Sequence, residues 1–166
     1  MQNEQIEPPA YFAPFACQLL AVLATAPLTL VIDGSQVGLG GMALVIAVVY
    51  KGRALPIGWL VVSAKKGHLL QSLHIQLLKQ VKPLVPEAAE VVFLGDGEFD
   101  GCRLLKRLQH YGGYYVCRTA ENSQVRLEDQ HYSLRKMHRI MIQQPIYSRR
   151  HLMDLKMQLE KRSEVY

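Results

Sequence analysis

Cysteine is scarce and badly placed for structural chemistry. Cys17, Cys102 and Cys117 are the only three, they are far apart, and no C-x-x-C pair occurs. That pattern supports neither a disulfide framework nor a thiolate zinc site, and it suits a reducing, cytoplasmic environment. The six histidines form no H-x-x-x-H pair, so they carry no metal-ligand signature and are assigned no chemistry. There is also no G-x-x-x-x-G-K-[ST] and no G-x-S-x-G, which removes the anchors of a P-loop nucleotidase and of a serine hydrolase. Acidic residues are the scarcer charge: 14 against 19 Lys and Arg, a formal net charge of +5. Such a surplus makes a polyanion a plausible partner, although a solvated basic surface gives the same number.

Charge is absent altogether from Tyr11 to Ile32. The run is long enough to raise a membrane span, but Pro14 and Pro27 interrupt it and it ends in a β-rich stretch. It reads instead as a buried helix, about Phe15 to Thr25, running into a core strand. The first ten residues hold Glu4 and Glu7 and no Lys or Arg, which argues against a signal peptide.

What is present is a regular alternation of apolar runs and turn signals in a chain of 166 residues, enough for one domain with tails. Leu28 to Ile32 predicts a buried strand with Asp33 at its C-terminal tip. After the glycine-rich Gly34 to Gly41, Met42 to Tyr50 predicts a second strand, and Lys51-Gly52 a turn before a third over Arg53 to Ser63. Leu69, Leu70, Leu73, Leu77, Leu78 and Val81 recur at helical spacing until Pro83 and Pro86. Glu90 to Leu94 predicts a fourth strand, followed after Gly95 by Asp96. Asp100 suits the N-cap of a helix through Leu104 and Leu108 that Gly112 and Gly113 end, and Tyr114 to Cys117 predicts a fifth strand. Beyond Ala120 the pattern weakens: a hairpin over Val125 to Leu134, further strands at Arg139 to Gln143 and near Ile146, and a polar helix from His151 to Arg162. Expected organisation is residues 1–25 as an apolar helix and linker, 26–120 as an α/β core, and 121–166 as a basic, incomplete extension.

Two acids each placed just past a buried strand suit a two-metal phosphodiesterase, because the sheet fixes a carboxylate that points into a crevice. Mg²⁺ takes one or two carboxylates plus waters and phosphate oxygens, and two such ions roughly 3.5–4 Å apart serve an in-line displacement. The same placement also suits plain polar turn residues. Two rival motifs fail. Gly38-Leu39-Gly40-Gly41 leads into a strand, and the third glycine of a dinucleotide loop falls on Ala43. Asp96 to Gly101 begins like a calcium loop, but the position that needs a bidentate Glu is Arg107.

Val31-Ile32-Asp33-Gly34-Ser35, Gly52-Arg53-Ala54-Leu55-Pro56-Ile57-Gly58-Trp59 and Leu94-Gly95-Asp96-Gly97-Glu98-Phe99-Asp100-Gly101, in this order, resemble the DDE transposases of bacterial insertion sequences. The resemblance spans about Ala26 to Ala120. It implies a ribonuclease-H-like mixed sheet flanked by helices, with Asp33 and Asp96 as the first and second catalytic, metal-binding acids on the first and fourth strands. It implies Mg²⁺ or Mn²⁺ at a two-ion site, DNA at transposon ends as partner, cleavage and strand transfer as the reaction, and no membrane; a homo-oligomer stays open. Arg118, in Arg118-Thr119-Ala120, matches a basic residue that contacts DNA. Lys65, Lys66, Arg149 and Arg150 are further candidates for the phosphate backbone, or an ordinary solvated face. Trp59 and Phe99 are expected to pack in the core or the site wall. The family's third acid is a Glu within Tyr-x-x-Arg-x-x-x-Glu-x-x-x-x-x-x-Lys. Tyr147, Arg150, Asp154 and Lys161 keep that spacing with Asp for Glu; this is read as coincidence, with the third acid expected beyond Tyr166 in a longer ancestor, and Asp154 is the alternative. Lack of a third acid would make the chain a truncated, inactive remnant that binds DNA or a full-length transposase.

Overall fold

The computed structural model describes residues 8–64, 69–120, 123–127 and 130–135. Its elements run α1 (Pro8–Leu23), β1 (Leu28–Val37), β2 (Gly41–Tyr50), β3 (Arg53–Ser63), α2 (Gln71–Val81), β4 (Val91–Gly95), α3 (Cys102–His110), β5 (Tyr114–Cys117), β6 (Gln124–Leu127) and β7 (Gln130–Ser133). The first five strands form one mixed sheet in the order β3-β2-β1-β4-β5. β1, β2 and β3 are an antiparallel meander, while β4 and β5 add in parallel on the other side of β1. This is the ribonuclease-H-like arrangement that the resemblance implied, and the order of strands and helices along the chain is the one the apolar runs predicted. The chain divides into two compact units, 1–118 and 119–166. In the second unit, β6 and β7 pair as a two-stranded hairpin. The expected strands after Arg139 and the expected helix from His151, with Asp154, lie outside the described residues.

Turn chemistry sets the meander. Lys51 and Gly52 both take positive φ, 48° and 74°, the left-handed pair that a two-residue hairpin needs. Gly38 and Gly40 do the same for the β1–β2 connection, at 56° and 79°. That hairpin changes one expectation: β1 does not stop at Ile32 but continues to Val37, with Gly34 paired to Leu44 and Val37 to Gly41. Asp33 therefore lies within a strand. Gly34 to Val37 carries little apolar signal of its own, and it is extended because β2 supplies its hydrogen-bond partners.

Alternation along the strands separates two faces. Leu30, Ile32, Leu44, Ile46 and Phe93 point to one side and are buried with Leu77, Leu78 and Val81 of α2 and Leu104 and Leu108 of α3. Gly58 of β3 lies under α2 because a Cβ there would stand 2.6 Å from Val81 Cγ2. α1 starts earlier than expected, at Pro8, and buries Ala16 and Leu20 while Tyr11, Phe15 and Val22 stay exposed. Pro14 sits on the exposed side of that helix. No helix among the described residues is long and apolar enough to cross a membrane. Leu70, expected among the buried stripe of α2, is instead its exposed N-cap residue, and His74 takes a buried place in that stripe.

His74 is 1% exposed, and neither ring nitrogen has a hydrogen-bond partner among the described residues. Its ring packs on Phe99 with centroids 4.8 Å apart. An orphaned buried polar group costs about 1–3 kcal/mol, whereas each fully buried Leu or Val stabilises by about 1.5–3 kcal/mol. Leu77, Leu78 and Val81 therefore outweigh His74 in docking α2. Burial pushes the imidazole pKa below its usual 6.5. The folded protein then binds fewer protons than the unfolded chain, so this contribution is intact above the ordinary value and is lost as pH falls below it, levelling off under the folded value. The midpoint of urea unfolding should drop between about pH 7.5 and 5 in the wild type, and His74→Leu should flatten that drop without loss of stability at pH 7.5. An equal slope in both proteins would assign the pH dependence elsewhere.

Candidate functional site

Register places the two aspartates. The parallel β1–β4 ladder ends at Val31 opposite Leu94, and the same register continued two residues further brings Asp33, within β1, level with Asp96, one residue past the end of β4. Adjacent strands lie roughly 4.8 Å apart, so the two carboxylates leave neighbouring positions. They also leave the same face. Val31 and Leu94 share the side opposite the α2 core, and alternation returns Asp33 and Asp96 to it. Asp96 keeps extended backbone, φ −81° and ψ −169°, so the alternation holds one residue past the strand.

The same counting extends across the sheet. Asp33 pairs with Val45, and Val45 with Trp59. On the other side Gly95 pairs with Cys117, which puts Arg118 level with Asp96, and the Arg118 N–H donates to the Gly95 carbonyl at 3.0 Å. One row thus runs across β3, β2 and β1 and just past the ends of β4 and β5: Trp59, Val45, Asp33, Asp96, Arg118. Both aspartates and Arg118 are exposed. The row joins all three site residues expected from the sequence, and it adds Trp59, which was expected to be packing. Trp59 is 41% exposed, whereas Phe99 is fully buried as expected.

Among the described residues each carboxylate accepts one hydrogen bond. The Ser35 hydroxyl donates to Asp33 Oδ2 at 3.4 Å, a long contact, and the Glu98 backbone N–H donates to Asp96 Oδ1 at 2.9 Å. Asp96 is the N-cap of a 3-10 turn over Gly97–Phe99. The cap of α3 differs from expectation: Asp100 closes that turn, and Gly101 is the N-cap, with no side-chain hydrogen bond. The Gln71 side-chain amide lies close over Gly101: a Cβ there would stand 2.3 Å from Gln71 Nε2, so a larger residue would need Gln71 to turn aside. Gly95 is held as closely: its Cβ would lie 2.8 Å from Phe99 Cβ. The loop that carries Asp96 is therefore seated on α2 and Phe99 and is not free to wander.

Two solvent-facing carboxylates with spare oxygens are a hard donor set, which fits Mg²⁺ or Mn²⁺ held partly by water. Among the described residues no group of three His, Cys, Asp or Glu side chains converges on a metal position. Lys65 and Lys66, like Arg149, Arg150 and Asp154, lie outside the described residues.

No protein-family model matches the chain, and no curated protein matches it. Among solved structures it is similar to the catalytic domain of Mos1 mariner transposase, at 14% identity over 99% of this chain and 87% of that one, TM-score 0.40. It is similar to a second structure of the Mos1 transposase catalytic domain, with raltegravir and Mn, at 15% identity over 98% of this chain and 88% of that one, TM-score 0.39. A Ppx/GppA family member of Aquifex aeolicus shares 21% identity over 57% of this chain and 36% of its own, TM-score 0.29.

The cap separates two roles of Asp96. Asp96→Ala should cost about 1 kcal/mol of stability through loss of the turn's cap, while Asp96→Asn, which retains the acceptor oxygen, should stay within about 0.5 kcal/mol of wild type. Equal losses in urea unfolding would show that charge, not the hydrogen bond, holds the loop.

Proposed function

We propose that this chain is the catalytic domain of a DDE-type transposase of the bacterial insertion-sequence kind, cutting and joining DNA with divalent metal ions. The observation that carries the proposal is the levelling of Asp33 and Asp96 on neighbouring parallel strands, on an exposed face and beside Arg118. The three sequence segments that resemble the family supply the rest: two of them contain these acids, and the middle one runs along β3 to Trp59.

Asp33 and Asp96 would hold the metal ions through their carboxylate oxygens. A bound pair of such ions activates the attacking oxygen and stabilises the leaving one in an in-line phosphoryl displacement. The protein's own part is positional. The β1–β4 ladder fixes both carboxylates, the Glu98 N–H orients Asp96, and Arg118 draws the phosphate backbone to the row. Asp154 is one candidate for a third acid, by its spacing from Tyr147, Arg150 and Lys161. DNA at a transposon end is the proposed substrate.

The test is nicking of supercoiled plasmid in Mn²⁺ or Mg²⁺, with a chelator control. Asp33→Asn and Asp96→Asn should each lower the rate by at least roughly 100-fold, on the scale of losing a group that positions reacting charge. Asp154→Asn should do the same if it completes the triad. Arg118→Gln should weaken DNA binding and reduce the slope of log affinity against log salt by about one. Salt-dependent binding with no cleavage by the wild type would instead identify a DNA-binding chain without catalysis.

A further inference from the structure

Trp59 is the one tryptophan of the chain, and it stands two strands from Asp33 in the row that holds both acids. Two strand spacings put its backbone roughly 10 Å from that of Asp33, about three stacked nucleotides at ~3.4 Å each. A large aromatic ring on a sheet face usually ends up covered, yet 41% of this one is open. Its orientation is nonetheless held. Phe12 of α1 meets it edge to face, with centroids 4.8 Å apart and planes at 71°.

Beside it the sheet face and α1 enclose a recess of about 460 Å³ lined by Phe12, Phe15, Leu19, Val45, Leu55 and Trp59. Val45 is the direct cross-strand neighbour of Asp33, so the recess shares a residue of the acids' row. Its size lies within the range of small-ligand pockets, and its walls are aromatic and aliphatic. An apolar recess cannot hold phosphate. It can hold the flat, weakly polar face of a base, and aromatic stacking is tolerant of base identity.

Resting on the reading of the acids as a DNA-cutting site, we propose that Trp59 is a substrate-positioning residue: an unpaired nucleobase of the bound strand stacks on its indole at the mouth of this recess. Stacking there anchors the strand on the β3 side while Arg118 holds its backbone on the β5 side. The phosphate between them is then laid across Asp33 and Asp96. The row is read as a track, with a base contact at one end and a charge contact at the other.

The single tryptophan makes the test direct, because all indole fluorescence reports Trp59. Wild-type protein in a chelator is titrated with an oligothymidylate of about 20 nucleotides and with an abasic deoxyribose-phosphate oligomer of equal length. Binding is followed by anisotropy of the labelled probe and, separately, by indole emission. The expected result is quenching by oligothymidylate and not by the abasic strand. Trp59→Leu should weaken oligothymidylate binding roughly tenfold, Trp59→Phe should recover most of the loss, and abasic binding should be unchanged in both variants. Equal affinity of wild type and Trp59→Leu for oligothymidylate, with no change in emission, would overturn the role of Trp59 and leave the acids' reading intact. Failure of either probe to bind wild-type protein would overturn the nucleic-acid reading and this inference with it.

Discussion

The parallel ladder between β1 and β4 is the constraint on which the site depends. Four residue pairs, from Leu28 with Val91 to Val31 with Leu94, fix the register of two strands that are 63 residues apart in sequence when their acids are compared. A slip of one residue would turn either acid into the core side, because side chains alternate with period two. Such a slip would also bury a carboxylate beside Ile32 and Phe93, at a cost of several kcal/mol against the modest energy of a few ladder hydrogen bonds. The hydrophobic pattern therefore specifies the acid geometry indirectly: what it forbids is any register other than the one that levels Asp33 with Asp96.

β1 serves both halves of the sheet, and this is why its extent escaped a residue-by-residue reading. On the β4 side its pairing ends at Val31; on the β2 side it runs on to Val37. Asp33 is thus past the end of one ladder and in the middle of another. Leu28 to Ile32 was legible as a strand from its own apolar, β-branched content. Gly34-Ser35-Gln36-Val37 was not, because its extended form comes from Met42, Ala43 and Leu44 across the hairpin. The position of Asp33 relative to Asp96 was nevertheless legible, since each follows a buried run whose length is set by its own sequence.

Other differences have similarly local causes. Asp100 is chemically the better helix cap, but the 3-10 turn begun by Asp96 uses it as a terminus, and the Gln71 amide lies close over the Gly101 position that caps α3 instead. Leu70 fits the helical period by sequence, yet the chain enters α2 there with extended backbone, φ −67° and ψ 137°, and the side chain turns outward. Trp59 sits in an apolar run that gives no hint of which face is covered. Its exposure follows from the sheet having its main helical cover on the other side, a property of assembly and not of the run. Arg118 was legible only through the family resemblance, and the carbonyl of Gly95 explains its place: the β4–β5 ladder extends one hydrogen bond past Cys117.

The orphaned polar atoms of the interior are not scattered. Gln71 Oε1, both nitrogens of His74 and Glu98 Oε1 are buried without partners, and each belongs to the support of the Asp96 loop: Gln71 lies against Gly101, His74 against Phe99, and Glu98 is in the loop itself. Buried unsatisfied groups are rare because each costs about 1–3 kcal/mol, and the apolar layer between β1, β2 and α2 has no other among the described residues. The unpartnered polar groups beneath the acids therefore offset part of the stabilisation that the ring of Phe99 and the close approach at Gly95 provide. Local conflict with packing rules concentrates where a site is served. Here it lies one layer below the two carboxylates, on the opposite face of the sheet, beneath the turn that carries Asp96.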